Sequence, residues 1–473
     1  MDNGGSGRGA LSLLAAAGLA ALTLPRLLSF GMHVDGVAYA AVARNLALGE
    51  GSPWALRLTS ARPFVEHPPL VFWILAPFYQ LFGDSLHVEA LVGCAFGFAG
   101  VAAMVLVWRR LGFSAQGGAW LPVALYAVMP TVSWSFANNQ LDLYLAVFTM
   151  AAIGVAAAAL LAGRWQHAAG LGGLAGALVC AGLLAKGPGA LFAFLVPAVA
   201  AALLPGVSWR RALAVGGAML LVPALVAVAI DASPAAHEYM RLYLYNQVGR
   251  SLSGERAVVE SRLYILIELA YDLWLPLAAV VVLALALRRR ARLQGSPEAL
   301  VLLVLALAAS LPLALSPKQA ARYLLPSLPL YALTLGAVAA PLAGALERLV
   351  RGRRQRVVRA LGVIGLAAAV AAMLVEHDRA RRHGALYADL VTAPAPLPPH
   401  ASISACPERL AGFTLRANLA RLFDADLRPA PTDFLLADIQ SECEPPPACR
   451  RVHPPAPQGY VLYDCRPPGT TIR

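Results

Sequence analysis

Long apolar stretches separated by short polar turns dominate the first 375 residues of the chain. A helix needs about 20 apolar residues to cross a bilayer, and the pattern predicts about 11 transmembrane helices. They are predicted at 10–32, 88–108, 119–137, 141–162, 168–185, 189–207, 211–230, 263–287, 298–315, 323–345 and 360–375. The first could instead be a signal peptide, but no clear cleavage site follows the Leu-Pro-Arg at its end, so we interpret it as a retained span.

One further apolar stretch, at 70–82, is only 13 residues long. It is too short to cross a membrane. Counting it as a span would also reverse the side of every later arginine cluster. We therefore predict a helix in the outer membrane interface, within a long first external loop at 33–87.

Composition supports a membrane protein, since 59% of the residues are hydrophobic and 14% are charged. Soluble globular chains contain about 45–50% apolar and about 25% charged residues. A soluble enzyme, a disordered chain and a nucleic-acid-binding domain are therefore excluded. The net charge of +12 reflects arginines at predicted membrane edges, and no nucleic-acid partner is expected.

Arginine clusters at alternate junctions orient the predicted spans. Because cytoplasmic loops carry an excess of Lys and Arg, we predict a cytoplasmic N-terminus and extracytoplasmic residues 376–473. The clusters contain Arg8, Arg109, Arg110, Arg164, Arg210, Arg211, Arg288, Arg289, Arg290, Arg292 and six arginines from Arg348 to Arg359.

The sequence thus predicts an all-α polytopic membrane domain at 1–375, a Pro-rich linker at 376–400 and a small extracytoplasmic α/β module at 401–473. Within the module, short strands are predicted at 403–406, 434–439 and 460–463, and a helix at 407–423.

Four of the six cysteines lie in the C-terminal module, which favours disulfides in an oxidising compartment. Three pairings are open, and we prefer Cys443–Cys449 with Cys406–Cys465. A zinc site is the alternative, but no Cys-x-x-Cys spacing supports it.

Eleven basic residues lie at the predicted outer edge, against the usual charge bias. Each alone is explained by snorkelling to the interface, whereas the set favours a site for a phosphate-bearing ligand. They are Arg26, Arg44, Arg57, Arg62, Lys186, Arg241, Arg250, Arg256, Arg262, Lys318 and Arg322. Lys318 and Arg322 would share one face if a continuous helix joined them.

Three acids on the same predicted side are candidates for catalysis. Asp35 follows the first span and could be a general base or a helix N-cap. Asp142, in the first turn of a span, could face the cavity as a second acid or only cap the helix. Glu66, beside His67, could contact a sugar hydroxyl or a metal ion.

These segments together resemble the GT-C superfamily of membrane glycosyltransferases, especially family-39-like enzymes related to protein O-mannosyltransferases and the lipid A aminoarabinose transferase. The resemblance covers about 30–330. Its motifs are Asp35 with Tyr39, Glu66-His-Pro-Pro-Leu, Asn-Asn-Gln-Leu-Asp142, Lys186-Gly-Pro, Asn246-Gln-Val with Ser-Gly-Glu-Arg256, and Pro-Lys318 with Arg322-Tyr-Leu-Leu-Pro. The chain departs from the aminoarabinose transferase pattern at Ala38 and His67.

The resemblance implies inverting transfer of a sugar from a polyprenyl-phosphate donor to a lipid, glycan or protein acceptor, at the outer face of a bacterial plasma membrane. It implies that Asp35 is the base, that Lys186 binds the donor phosphate and that Asp142 lies at the top of the fourth span. The remaining candidates are Glu66 for catalysis; Lys318, Arg322, Arg241, Arg250, Arg256, Tyr39 and Arg44 for the donor; and His67, Tyr245 and Asn246 for the acceptor or sugar.

Other functions stay open at this point. A transporter or flippase is compatible with the apolar bulk, although alternating access favours polar residues nearer mid-membrane. An O-antigen ligase or polymerase is a third class. No cofactor is required by the sequence; a divalent metal ion is an open alternative, without a strong ligand set.

Overall fold

A computed structural model of the chain describes residues 5–249, 261, 263–392, 397–398, 400–429, 431–440, 443, 445–454 and 456–467. In this part of the chain, eight helices are long and apolar enough to cross a membrane, and one bent helix pair is a ninth candidate. The eight are Gly7–Arg26, Val88–Arg110, Leu141–Leu161, Trp165–Lys186, Trp209–Ala232, Tyr264–Leu287, Pro297–Leu315 and Arg353–Val375.

Prolines interrupt the other predicted spans. The predicted span 323–345 contains two helices, Leu328–Val338 and Ala340–Leu349, which meet at a 65° bend because Pro341 cannot donate a backbone hydrogen bond to the preceding turn. The predicted span 119–137 is likewise divided into Trp120–Ala127 and Pro130–Ser135.

The predicted span 189–207 begins as a 3₁₀ helix, Pro188–Leu195, and continues as the α-helix Val196–Leu203. The first helix also ends earlier than predicted, at Thr23, where a short 3₁₀ turn containing Pro25 follows. Interrupted helices therefore account for the difference between about 11 predicted spans and eight long ones, and the polytopic all-α fold class is confirmed.

Several shorter elements complete the helical part. The helix Leu70–Phe82 has the predicted bounds. The other helical segments are Val34–Ala47, Phe113–Ala115, Pro234–Tyr243, Leu244–Gly249, Leu311–Leu315, Ala321–Leu324, Gly384–Tyr387 and Ala388–Thr392.

The chain forms two compact units. One contains Met1–Leu27, Glu66–Pro68 and Gly93–Val375, and the other contains Leu28–Val65, Pro69–Val92 and Glu376–Arg473. The predicted boundaries at 375 and 400 stay predictions.

In the first unit, glycines let long helices pack closely. A Cβ at Gly176 would collide with the backbone of Met219, and one at Gly362 would press on Leu13. The N-terminal helix is also held by an ion pair, in which Arg8 Nε lies 3.0 Å from Glu347 Oε2. The Gly176 contact fixes the helix Trp165–Lys186, which carries a candidate site residue at its end.

The second unit contains a five-stranded mixed sheet. Its strands are β3 (Ser402–Ala405), β4 (Asp426–Leu427), β5 (Phe434–Asp438), β6 (Arg450–His453) and β7 (Tyr460–Asp464), in the order β4-β3-β5-β7-β6. The β3–β4 and β3–β5 pairs are parallel, and β7 pairs antiparallel with β5 and β6. A separate hairpin pairs β1 (Arg57–Thr59) with β2 (Arg62–Pro63).

The predicted helix at 407–423 is two helices, Pro407–Leu410 and Phe413–Phe423, because Gly412 between them is extended. The longer helix packs on the sheet with Leu415 and Leu419, against Ile403 and Phe434. The predicted small α/β module is therefore present.

The disulfides are Cys406–Cys443 and Cys449–Cys465, so the preferred pairing was wrong. Sheet register explains the second bond. Cys449 precedes β6 and Cys465 follows β7, whose antiparallel register places Arg450 opposite Asp464. The two cysteines therefore meet across the sheet edge, which sequence spacing does not show.

A buried charge network lies within the second unit. Arg421, only 2% exposed, lies 2.6 Å from Asp84 and 3.2 Å from Glu89. The Tyr79 hydroxyl donates to Glu89 at 2.7 Å. Burial opposes ionisation of Asp84, but Arg421 and Arg44 outweigh this effect and lower the pKa of its carboxyl. This network ties the helix Phe413–Phe423 to the region around Asp84.

Candidate functional site

Three charged side chains predicted for the site meet in the first unit. Lys186 Nζ lies 3.1 Å from Asp142 Oδ2, and Arg322 Nε lies 3.9 Å from the same oxygen. The side chains of Asp142, Lys186 and Arg322 are 3%, 12% and 17% exposed. Two cations therefore share one buried carboxylate, which leaves a net charge of +1 if all three are ionised.

An aromatic ring lies beside both cations. The ring centroid of Tyr323 is 5.7 Å from Lys186 Nζ and 5.4 Å from Arg322 Cζ. Such contacts are worth about 0.5–1 kcal/mol at exposed sites and more when desolvated. Sequence reasoning did not assign a role to Tyr323, and its position next to Arg322 was the only available signal.

A glycine turn positions Lys186. Lys186 is the last residue of the helix Trp165–Lys186, and Gly187 follows with φ +96°, a conformation that side-chain-bearing residues rarely adopt. The Tyr243 hydroxyl occupies the space that a Cβ at Gly187 would need. The Lys-Gly-Pro turn is thus fixed both by backbone conformation and by packing.

Asp142 lies in the first turn of the helix Leu141–Leu161, whose N-cap residue is Gln140. The preceding turn is polar and buried: Gln140 donates to the Asn138 carbonyl at 2.7 Å, and Tyr144 donates to Asn139 at 3.3 Å. Asp142 is therefore not the N-cap residue itself. Its charge still lies in the first turn, where the helix dipole favours an acid, and its carboxylate lies 3.1 Å from Lys186.

No continuous helix joins Lys318 and Arg322, so the condition for a shared helix face is not met. Ala320 between them is extended, and only Ala321–Leu324 forms a 3₁₀ turn. Gln319 fixes the segment, since its side chain accepts from the Ile265 amide at 2.9 Å and donates to the Ser316 carbonyl at 3.1 Å.

Glu66 and His67 also belong to the first unit and are half-buried. The buried Tyr239 hydroxyl donates to the His67 carbonyl at 2.7 Å. Burial raises the pKa of Tyr239, and the nearby Glu66 carboxylate raises it further. Tyr239 thus anchors the Glu-His-Pro-Pro segment to the helix Pro234–Tyr243.

Arg241, Tyr245 and Asn246 lie on neighbouring segments. Arg241 is exposed and forms two 2.7 Å hydrogen bonds with Glu238. Tyr245 is 67% exposed, and Asn246 is half-buried in the π-helical segment Leu244–Gly249. The predicted donor-binding residues Arg250 and Arg256 lie outside the described residues.

Asp35 belongs to the second unit, in the first turn of the helix Val34–Ala47. The N-cap residue is His33, whose Nδ1 accepts from the Asp35 amide at 3.3 Å. Asp35 is therefore not the cap, and its half-buried carboxylate has Oδ2 4.0 Å from that nitrogen.

Tyr39 and Arg44 lie on the same helix as Asp35. Tyr39 is buried, and its ring packs edge-on against Phe64 and Phe72. Arg44 Nε lies 3.0 Å from Asp84 and its Nη1 donates to Asn45 at 2.7 Å. Both side chains thus contribute to packing within this unit, and their predicted roles in donor binding stay predictions.

Sequence and structure comparisons give two independent findings. Residues 66–234 match the family described as dolichyl-phosphate-mannose-protein mannosyltransferase. No curated protein matches the chain. Among solved structures, ArnT from Cupriavidus metallidurans in the apo state is 16% identical, with a TM-score of 0.65 over 96% of this chain and 97% of that chain.

The same ArnT bound to undecaprenyl phosphate is 15% identical, with a TM-score of 0.64 and the same coverage of both chains. The archaeal oligosaccharyltransferase AglB from Archaeoglobus fulgidus, in complex with an inhibitory peptide and a dolichol-phosphate, is 13% identical, with a TM-score of 0.51 over 91% of this chain and 69% of that chain.

The similarity in fold to ArnT covers 96% of the chain. The family match at 66–234 includes Glu66, Asp142 and Lys186. The resemblance inferred from the short motifs is thereby confirmed. Residues 66–234 therefore match a mannosyltransferase family and the chain shares the fold of ArnT, in agreement with the resemblance to GT-C membrane glycosyltransferases.

Proposed function

We propose that the protein transfers a sugar from a polyprenyl-phosphate donor to an acceptor hydroxyl at the outer face of a bacterial plasma membrane. The observation that carries the proposal is the pair of cations, Lys186 and Arg322, around the buried Asp142. ArnT with undecaprenyl phosphate and AglB with dolichol-phosphate support a donor of this chemical class.

The charge balance of the cluster suits a phosphate. Arginine offers a planar fork of donors and lysine a compact point charge, and both favour phosphate oxygens. Because the side chains are mostly shielded from water, their attraction for an anion is stronger than in bulk solvent. A phosphate would thus compete with Asp142 for the two cations.

The proposed reaction breaks the bond between the anomeric carbon and the donor phosphate oxygen, and forms a bond from the acceptor oxygen to that carbon with inversion. Lys186 and Arg322 stabilise the negative charge that develops on the departing polyprenyl phosphate. The acceptor proton passes to the Asp35 carboxylate and then to solvent.

The other candidate residues have supporting roles in this proposal. Asp142 orients the two cations, and Glu66 contacts the sugar or acceptor. His67, Tyr245 and Asn246 are proposed for the acceptor or sugar. The residues proposed to bind the donor are Lys318, Arg241, Arg250, Arg256, Tyr39 and Arg44. A requirement for a divalent metal ion stays an open alternative.

The test is a transfer assay with purified protein in nanodiscs, a panel of radiolabelled polyprenyl-phosphate sugars and an envelope extract as acceptor. We expect wild type to transfer the label, and Asp35→Asn and Lys186→Ala to lose transfer. Arg110→Ala is the matched control, because Arg110 lies exposed in the last turn of Val88–Arg110 and is predicted to be cytoplasmic. Parallel reactions with EDTA report metal dependence.

Absence of transfer and of donor binding by folded wild type, across the panel, would overturn the proposal in favour of a transporter. Normal activity of folded Asp35→Asn would instead remove Asp35 as the base.

A further inference from the structure

Two histidines and an aspartate, none of them among the residues proposed for catalysis, form a cluster in the second unit. His87 Nε2 lies 3.0 Å from Asp378 Oδ1, and His377 Nδ1 lies 2.9 Å from Asp378 Oδ2. One ligand atom from each of the three residues lies within 4.8 Å of the other two. We propose that His87, His377 and Asp378 bind a divalent transition metal ion, with Zn²⁺ favoured.

The ligand chemistry favours zinc. Zn²⁺ binds imidazole nitrogen and carboxylate oxygen at about 2.0–2.2 Å, usually in tetrahedral geometry. Tetrahedral ligand atoms would be roughly 3.3–3.6 Å apart at these bond lengths. The two histidine–aspartate contacts, at 3.0 and 2.9 Å, would need to open by about half an ångström, while the most distant ligand atoms, within 4.8 Å, would close by about an ångström. His377 and Asp378 are about half exposed, which leaves them free to turn and lets water supply a fourth ligand.

Local structure holds the cluster in place. The Phe30 ring stacks on His87 at a centroid distance of 5.4 Å and an interplanar angle of 13°. The Asp378 amide donates to the Leu28 carbonyl at 2.9 Å, and Asp378 has φ +59°. A non-glycine residue in this conformation is held there by its surroundings, which fixes the backbone position from which the carboxylate extends and leaves the side chain able to turn.

The site would join two segments that are distant in sequence. His87 directly precedes the helix Val88–Arg110, and His377 and Asp378 follow Glu376, the first residue after the helix Arg353–Val375. Nearby Arg379 and Arg381 both pair with Glu376, which offsets one of their two positive charges. A metal ion here would cross-link the segment that precedes Val88 to the segment that follows Val375, both in the second unit, a structural role separate from sugar transfer.

The test is Zn²⁺ binding by full-length, tag-free protein in nanodiscs after EDTA treatment and removal of the chelator. Zn²⁺ is titrated against a chromophoric chelator, and bound metal is counted by mass spectrometry. We expect one ion per chain. Replacing a ligand should weaken binding at least about tenfold, since even outer-shell changes cost roughly 10–100-fold.

The informative variants are Asp378→Asn and His377→Ala. Asparagine tolerates a left-handed backbone, so Asp378→Asn keeps the local fold while removing the ligand charge. His237→Ala is the matched control, because His237 is also exposed and lies 2.9 Å from a carboxylate, that of Asp231.

Loss of the bound ion in both ligand variants and its retention in the control would support the site. No binding by wild type at 100-fold excess over protein, unchanged binding in both ligand variants, or equal loss in the control would overturn it. These outcomes do not depend on sugar transfer.

Discussion

Replacement of Lys186 by methionine separates phosphate binding from a purely structural role. The Lys186 ammonium lies 3.1 Å from Asp142, a distance at which unit charges interact by roughly 5 kcal/mol at an effective dielectric constant of 20. Arg322, at 3.9 Å from Asp142, retains roughly 4 kcal/mol of attraction on the same basis. The carboxylate therefore stays compensated, and Lys186→Met should fold.

The expected loss lies in ligand binding. One hydrogen bond to a charged group contributes about 1.5–3 kcal/mol, so undecaprenyl phosphate should bind Lys186→Met roughly 10- to 150-fold more weakly. Binding is measured by titrating the lipid into nanodisc-embedded protein and following tryptophan fluorescence, with thermal unfolding measured in parallel.

The double variant Lys186→Met/Asp142→Asn decides between the two roles, because it removes the cation together with its partner. We expect thermal stability near that of wild type but affinity as weak as in the single variant. Asp142→Asn alone is the matched control and should retain affinity, since the asparagine carbonyl can still accept from Lys186 and Arg322 while the competing negative charge is removed. Recovery of wild-type affinity in the double variant would show that Lys186 serves only as a counter-ion.

Two further predictions concern stability. Gly187→Ala should lower the free energy of unfolding by about 1–3 kcal/mol, because alanine is strained at φ +96° and collides with Tyr243. Thermal unfolding should show partial rescue by Tyr243→Phe, whereas the control Gly206→Ala, where a Cβ has open space, should be neutral. Equal effects of both glycine changes would contradict this reasoning. The pKa of Asp84 in the folded protein lies below its usual value, so the ionised carboxylate stabilises the fold above about pH 4, the pKa of an unfolded aspartate. This stabilisation is lost as the pH falls through the lower pKa of the folded state. Proteolysis across pH 2–6 should show a smaller acid-induced loss of protection in Asp84→Asn than in wild type, and identical profiles would contradict the assignment.

Hydrophobic patterning predicted most of the membrane fold, because length and apolarity directly determine whether a helix can cross a bilayer. The short helix Leu70–Phe82 was predicted with its observed bounds. The errors arose at proline. Pro130 and Pro341 interrupt helices that hydropathy alone shows as continuous, since composition averages do not register one missing backbone donor.

Sequence reasoning placed Asp142, Lys186 and Arg322 at one predicted membrane edge, but it did not predict that they form ion pairs. Their positions come from three distant segments, so tertiary packing decides their distances. The same limit applies to the disulfides, which depend on strand register. It also applies to His87 and Asp378, whose side chains meet across 291 positions of sequence.

Sugar transfer is tested most directly by following the bond between the sugar and the polyprenyl phosphate. Proteoliposomes are supplied with an envelope-extract acceptor and a donor that carries one label on the sugar and another on the polyprenyl phosphate. We expect one polyprenyl phosphate to be released for each sugar attached to the acceptor, with inverted anomeric configuration, and both products to be lost in Asp35→Asn. Movement of intact labelled donor across the membrane, with no new glycosidic bond, would contradict sugar transfer and identify a transporter.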